Sequence, residues 1–438
     1  MKKITIIGTG YVGLVTGAGL ADFGNEVLCV DISEIKINNL KKGIIPIYEP
    51  GLDELILKNT NSGRLKFSTN IENAIQNCEV VFIAVGTPEK SNGKADLEAV
   101  LTVAKTIAVN MTNYLVVCTK STVPVGTGTE IVNSINQNQN NNIEFDYVSN
   151  PEFLREGSAV KDFLWPDRVI IGARSEKAFS VMEDIYNPLY RRKKPIMLTN
   201  IETAEMIKYS ANAFLALKIS YINEVANLCE KVGADVHQVA IGMGKDGRIS
   251  SKFLHPGPGF GGSCFPKDTK AFSALSEEHG MSMKTIDAAI NINEKQKVKM
   301  FDKLNELVNF NIKRKTISIL GLSFKPNTDD VRESPAIDMI KMIIENGGNV
   351  NAFDPIANES MKVNFPDIRY YDNWRDCCKN ADGVVIMTEW NEFRGIDLKL
   401  LKKVLKKPCV LDTRNIFSVD QLKKHDFNFD NVGRNNIK

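Results

Sequence analysis

A six-residue turn, Gly8-Thr9-Gly10-Tyr11-Val12-Gly13, follows the apolar run Ile4–Ile7 and opens a helical stretch, Val12–Phe23. Few chain conformations satisfy that order. The glycines allow a tight turn and let a pyrophosphate approach the backbone, while the helix N-terminus stabilises the phosphate charge. A second strand, Glu26–Val30, ends at Asp31, where a carboxylate can bind ribose hydroxyls. That charge repels a 2′-phosphate, so NAD is expected rather than NADP, with Lys36 near enough to soften the preference. The bland alternative is a glycine turn followed by an unrelated aspartate.

Strand and helix continue to alternate after this turn. Val80–Val85 and Leu115–Thr119 are short apolar runs that end at polar or glycine-rich loops, as expected of a parallel sheet covered on both faces. Asn136–Asn142 is low in complexity and is expected to form an exposed loop. From Ile201 to Val232 there is neither Pro nor Gly, and Thr199-Asn200 supply capping residues before it. One helix of that length spans about 45 Å, long enough to link two domains and to offer a face to a second subunit. A shorter helix is expected at Asp235–Met243. Near Lys313 the alternation resumes, with strands at Thr316–Leu320, Val350–Phe353, Gly383–Thr388 and Cys409–Leu411 and a helix at Pro335–Asn346. The expected architecture is α/β: two Rossmann-like doubly wound parallel-sheet domains, 1–198 and 313–438, joined by a central helical region, 199–312. The loop Gly321–Lys325 lacks the dinucleotide fingerprint, so the last domain is expected to grip a different ligand.

Composition narrows the class. At 438 residues the chain exceeds one ordinary core. A net charge of +2 gives no general attraction to nucleic acid or membrane. Eight cysteines form no CxxC pair and four histidines are scattered, so neither a metal site nor a disulfide framework is expected. The run after Met1-Lys2-Lys3 is too short for a signal-peptide core, and no stretch reaches the roughly 20 apolar residues of a membrane span. A cytoplasmic location is expected.

Chemistry concentrates in a few segments. Cys264 lies in Phe260-Gly261-Gly262-Ser263-Cys264-Phe265-Pro266-Lys267-Asp268, a glycine-rich bend suited to a nucleophilic thiol. Lys208 and Asn212, four residues apart on the long helix, project from one face. Asn150-Pro151-Glu152-Phe153-Leu154-Arg155-Glu156 brings two carboxylates into one loop. Val85-Gly86-Thr87-Pro88 and Lys120-Ser121-Thr122-Val123-Pro124 follow strands, where loops line the ligand crevice of a parallel sheet. Each has a plain reading too: a buried thiol, a solvated polar stripe, a surface loop, ordinary turns.

Taken in order, these segments resemble the UDP-glucose/GDP-mannose dehydrogenase family, and within it the UDP-glucose 6-dehydrogenases. The matching stretches are GTGYVG at 8–13, VGTP at 85–88, KSTVPVGT at 120–127, NPEFLREG at 150–157 and GFGGSCFPKD at 259–268. GLSFKPNTDDVRES at 321–334, TEW at 388–390 and DTRN at 412–415 agree as well. The resemblance covers nearly the whole chain.

It implies oxidation of UDP-glucose to UDP-glucuronate with NAD, four electrons in all, through a cysteine thiohemiacetal and thioester. By the same resemblance Cys264 is the nucleophile, Lys208 and Asn212 stabilise the oxyanion, and Asp268 and Thr122 position or activate water. Glu152 is a further acid/base candidate. Gly8, Gly10, Tyr11, Val12, Gly13, Asp31, Lys36, Thr87, Thr122, Glu156, Lys267 and Arg332 match cofactor-side positions. Glu152, Phe153, Leu154, Arg155 and Glu156 match substrate-side positions, as do Lys208 and Asn212, the Phe253, Leu254, His255, Pro256 and Gly257 segment, Gly261, Lys325 and Arg414. Arg248 matches an arginine that reaches substrate from a neighbouring subunit, which implies a homodimer. His255, at a position that varies, reads as loop filler. GDP-mannose or a UDP-N-acetylhexosamine is the alternative substrate, though dehydrogenases of the second kind often carry GGHC where this chain has GGSC. A non-catalytic nucleotide-sensing module and a two-electron dehydrogenase without need of the thiol are the alternatives of other classes.

Overall fold

The computed structural model describes residues 1–191, 193 and 195–434, the side chains of 190 and 191 excepted. Positions 192, 194 and 435–438, which fall in the expected first and last domains, lie outside the described residues. The chain forms two compact units: Met1–Ala211 with Glu277–His279, and Asn212–Ser276 with the chain from Gly280 onward.

In the first unit, β1 (Lys3–Ile7), β2 (Glu26–Val30), β3 (Leu65–Ser68), β4 (Val80–Ile83), β5 (Leu115–Thr119), β6 (Phe145–Ser149), β7 (Val169–Gly172) and β8 (Ile196–Thr199) make one sheet, ordered β3-β2-β1-β4-β5-β6-β7-β8. Every residue of β4 and β5 is buried, because helices cover both faces and an alternating pattern would leave polar groups inside. The strands pair in parallel as expected, except that β7 meets β6 antiparallel through Ser149 and Gly172. Here the segment after β6 stays at that end of the sheet instead of crossing back, so the next strand returns in the opposite direction. The sheet order reverses between β1 and β4, and such a reversal opens a crevice at the C-terminal strand ends.

The second unit carries β9 (Thr316–Leu320), β10 (Asn349–Phe353), β11 (Arg369–Tyr370), β12 (Gly383–Ile386), β13 (Cys409–Asp412) and β14 (Asn428–Asn431), all parallel, in the order β11-β10-β9-β12-β13-β14. Its crevice lies between β9 and β12. Helix Pro335–Glu345 starts with proline, whose missing N–H costs nothing there, and Ser334 caps it by accepting from Ala336 N–H at 3.3 Å.

The long helix runs from Ile201 to Val232 without a break. Asn200 caps it, its Oδ1 accepting from Thr203 N–H at 2.8 Å. One expectation is corrected: Asn136–Asn138 are not loop but the last turn of helix Thr127–Asn138. Ile131 and Ile135, both fully buried, anchor that helix, and Asn138 Nδ2 closes the end on Ser134 O at 2.7 Å. Among the described residues no helix is long and apolar enough to cross a membrane.

Candidate active site

The glycine turn has the geometry its sequence asks for. Gly8 has φ of +104°, and a Cβ there would lie 2.6 Å from Ala84 O. A Cβ on Gly13 would stand 1.9 Å from Gly8 O, so helix Tyr11–Asp22 packs closely only without one. Gly10 faces open space. Asp31 Oδ2 accepts from Thr9 N–H at 2.9 Å and Thr9 Oγ1 at 2.7 Å, and Oδ1 from Ser33 N–H at 3.0 Å. Burial alone would raise its pKa, but the hydrogen bonds from Ser33 and Thr9 outweigh it, helped by the Lys36 charge, and the net direction is down. The carboxylate therefore stays ionised and already oriented. Lys36 itself is exposed.

The two loops after β4 and β5 clasp each other. Thr87 Oγ1 donates to Thr122 O at 2.9 Å, and Ser121 Oγ to Val85 O at 2.6 Å. Beneath them Lys120 is buried, its Nζ 3.0 Å from Asn150 Oδ1 and 3.3 Å from the Tyr186 hydroxyl. Tyr186 donates to the same Asn150 oxygen at 2.7 Å, and Asn150 Nδ2 donates to Ile170 O at 2.6 Å. Both hydrogen-bond partners of Lys120 are neutral, and burial pushes its ammonium down to about 8.

Asn150 opens the loop that places Glu152. Lys208 Nζ donates to Glu152 Oε1 at 2.8 Å and to Glu152 O at 2.7 Å, with both side chains buried. Glu152 Oε2 also accepts from Leu154 N–H at 2.6 Å. Phe153 offers its ring to Arg168, whose guanidinium carbon is 3.6 Å from the centroid, and to Lys208 Nζ at 5.3 Å. Arg155 turns outward onto Asp162, while Leu154 and Glu156 are half-buried.

In the second unit Cys264 immediately precedes helix Phe265–Glu278, and its carbonyl accepts the helix's first bond, from Asp268 N–H at 2.8 Å. A helix N-terminus favours negative charge at that spot. One turn in, Asp268 is buried, with Oδ2 accepting from Asn212 Nδ2 at 2.6 Å and Oδ1 from Lys267 Nζ at 2.7 Å. The bend itself is fixed from outside: Gly262 N–H donates to Arg332 O at 2.9 Å, and a Cβ on Gly261 would stand 2.1 Å from Glu333 O. Asn293 exchanges two hydrogen bonds with Phe260, and Asn223 accepts from Gly257 N–H at 2.8 Å. Phe253 and Phe260 each set a ring edgewise against Phe265. Arg414 Nε donates to Met387 O at 2.7 Å and Nη2 to Phe324 O at 3.0 Å, at the strand ends beside Gly257. Lys325 lies over the Phe324 ring, and Leu254, Pro256 and Gly257 are buried. His255 is exposed, and Arg332 and Arg248 turn outward onto Asp330 and Asp246. The long helix thus carries Lys208 to a carboxylate of the first unit and Asn212 to one of the second.

Three family models match in sequence order: the NAD binding domain of the UDP-glucose/GDP-mannose dehydrogenase family over residues 2–190, its central domain over 202–295, and its UDP binding domain over 318–419. The chain belongs to the UDP-glucose/GDP-mannose dehydrogenase family. It is 47% identical to the UDP-glucose 6-dehydrogenase TuaD of Bacillus subtilis (strain 168), over 99% of this chain and 94% of the relative. The same identity relates it to the UDP-glucose 6-dehydrogenase of Rhizobium meliloti (strain 1021), over 99% of both chains. Its fold is similar to the solved structure of a UDP-glucose dehydrogenase from Pyrobaculum islandicum, with a TM-score of 0.93 and 35% identity over 99% of this chain and 98% of that one.

As a member of this dehydrogenase family the chain is an NAD-dependent oxidoreductase. The first unit fits the cofactor: a Cβ at Gly10 would occupy open space at the mouth of the turn, and Asp31 is ionised and held for a ribose. Sequence reasoning missed three charged residues of the first unit, Lys120 and Glu49 buried and Arg168 half-buried. Lys120 was visible only as part of a loop motif. Glu49 stands in Tyr48-Glu49-Pro50-Gly51, legible as a turn but not as a site. Arg168, stacked on Phe153, left no motif at all.

Proposed function

We propose that this enzyme oxidises UDP-glucose to UDP-glucuronate, four electrons per sugar, through a covalent adduct on Cys264. The observation that carries the reading is Cys264 at the start of a helix, with Asp268 one turn on and gripped by Asn212 and Lys267. The similarity to two bacterial UDP-glucose 6-dehydrogenases favours UDP-glucose over GDP-mannose or a UDP-N-acetylhexosamine.

Bound NAD⁺, held by the Gly8–Gly13 turn and Asp31, supplies the hydride acceptor for each oxidation. The rest is work for the chain. In the first oxidation the C6 hydroxyl loses its proton toward the Glu152–Lys208 pair as C6 becomes an aldehyde. The Cys264 thiolate then adds to that carbon, and the Lys208 ammonium and the second Asn212 N–H stabilise the resulting oxyanion. Loss of the second hydride leaves a thioester. Water, with its proton taken by Asp268 or Glu152 and its position set with Thr122, displaces the thiolate and releases the carboxylate. Lys325, Arg414 and the Phe253–Gly257 segment suit the nucleotide diphosphate, since cations neutralise its charge.

We further propose a three-part division at 198 and 312, a homodimer, and a cytoplasmic setting. The exposed residues Phe214, Tyr221 and Leu228 recur every seven positions on the long helix, a seam that a second copy of the helix can cover.

The test is the stoichiometry of NADH per sugar with UDP-glucose limiting and NAD⁺ in excess. Two per sugar is expected. One would mean the reaction stops at the aldehyde, and none, with turnover of GDP-mannose, would move the substrate.

A further inference from the structure

Glu49 is a buried carboxylate with three donors. Its Oε2 accepts from Gly157 N–H at 2.6 Å and from the Tyr11 hydroxyl, and its Oε1 from Ala159 N–H at 2.7 Å. Gly157 N–H also reaches the Tyr11 oxygen, at 3.1 Å. The local chain is built to hold this carboxylate still. Glu49, Pro50, Gly51 and Leu52 form a type II turn, closed by Leu52 N–H on Glu49 O at 3.1 Å, with Gly51 at φ 79° and ψ 2°. Three separate pieces of the first unit therefore meet on one side chain: the first residue of the dinucleotide helix, the 49–52 turn, and the end of the 150–157 loop. The start of that loop is held independently, by Lys120 and Tyr186 on Asn150.

We infer that Glu49 is a positioning residue, which ties the 150–157 loop to the dinucleotide turn through Tyr11 and so sets where Glu152 stands. The inference rests on the reading of that loop as part of the sugar-nucleotide site. Both carboxyl oxygens are needed as acceptors, because each faces a backbone N–H: Gly157 on Oε2 and Ala159 on Oε1. A carboxamide in its place would turn an N–H₂ toward a backbone N–H, and the loop end would come free. Small displacements of a positioned group cost turnover heavily, on the order of 10²-fold for about 1 Å.

The test uses the full-length enzyme and two variants, Glu49→Gln and Tyr11→Phe. For Glu49→Gln the expected result is a loss of ~10- to 100-fold in kcat/KM for UDP-glucose at saturating NAD⁺, with the Kd for NAD⁺ changed by less than about threefold. Tyr11→Phe should show a smaller loss, and the double variant should be no worse than Glu49→Gln, since both act through one network. Additive losses, wild-type turnover in Glu49→Gln, or a parallel collapse of NAD⁺ binding and Tm would each overturn the inference. Hydrogen exchange at the Gly157 and Ala159 amides separates it from the substrate reading. Faster exchange there in Glu49→Gln supports the tether even if UDP-glucose is not turned over, and unchanged exchange sinks it whatever the substrate.

Discussion

Cys264 differs from most of the other cysteines in where its sulfur sits. Cys29, Cys118, Cys229, Cys377, Cys378 and Cys409 are buried, and burial pushes Cys29 up to about 12 and Cys409 to about 11. Thiols raised in this way, Cys29 and Cys409 among them, stay protonated and inert. Cys78 is half-buried, yet burial still pushes it up to about 11. Cys264 is half-buried at a helix start, the setting in which a thiolate is stabilised and reachable. Replacing it with alanine should reduce UDP-glucuronate formation by ~10³-fold or more while NAD⁺ binding, measured separately, stays within about twofold. Uronate production at the wild-type rate would remove the covalent route. At this scale the sequence was informative where partners are neighbours in the chain. Cys264 and Asp268 are four residues apart and sit on one helical turn. It was silent where the partner comes from elsewhere: Glu49 reaches Gly157 and Ala159 across more than a hundred positions, and nothing local marks it as buried.

Helix Ile201–Val232 was legible end to end, because 32 residues without Gly or Pro and a capping asparagine leave little else for the chain to do. Short polar strands were not: β11 has two residues and β14 reads Asn-Phe-Asp-Asn, so neither shows the apolar run that marks a buried strand. The long helix also holds an ionisable contact that no pattern disclosed. Glu205 is buried and accepts from Gly126 N–H at 2.8 Å and Gly128 N–H at 2.9 Å, capping helix Thr127–Asn138 from outside. Burial raises its pKa to about 7 despite those two bonds, and the nearby Glu202 and Glu130 charges push the same way. A carboxyl raised in the folded state favours folding below its ordinary value near 4.5, and that contribution is lost as pH climbs through 7. The loss amounts to about 3 kcal/mol. Glu205→Gln turns an N–H₂ toward Gly126 or Gly128 N–H and should start below the wild type near pH 4.5, but with no charge to bury it should lose less stability by pH 8. Urea midpoints at both pH values measure this, and parallel curves for the two proteins would refute it.

At the scale of the molecule, one sheet order serves two purposes. Both sheets place their first strand beside their second and fourth, and both end the second strand on an aspartate that binds the first loop: Asp31 with Thr9, Asp354 with Leu322 and Ser323. Asp31 is half-exposed and can still take a ribose. Asp354 is buried and fully engaged, with Trp390 Nε1 on it at 3.1 Å, so the second sheet keeps the architecture without the dinucleotide function. That accounts for the missing fingerprint at Gly321–Lys325. The proposed dimer draws on the remaining surface of the long helix. Phe214, Tyr221 and Leu228 are 60%, 46% and 62% exposed, large apolar side chains at a seven-residue repeat that water alone covers poorly. Arg248 has a side chain 90% exposed and, among the described residues, pairs with Asp246, which leaves it within reach of the neighbouring copy proposed above. If the proposed dimer forms through this seam, the wild type should sediment as a dimer and the double variant Phe214→Asp, Leu228→Asp as a monomer. If Arg248 completes the partner's site, the monomer should bind NAD⁺ normally yet lose turnover, and Arg248→Ala should do the same within an intact dimer. A fully active monomer would detach Arg248 from the reaction, and an unchanged sedimentation coefficient would move the interface off this helix.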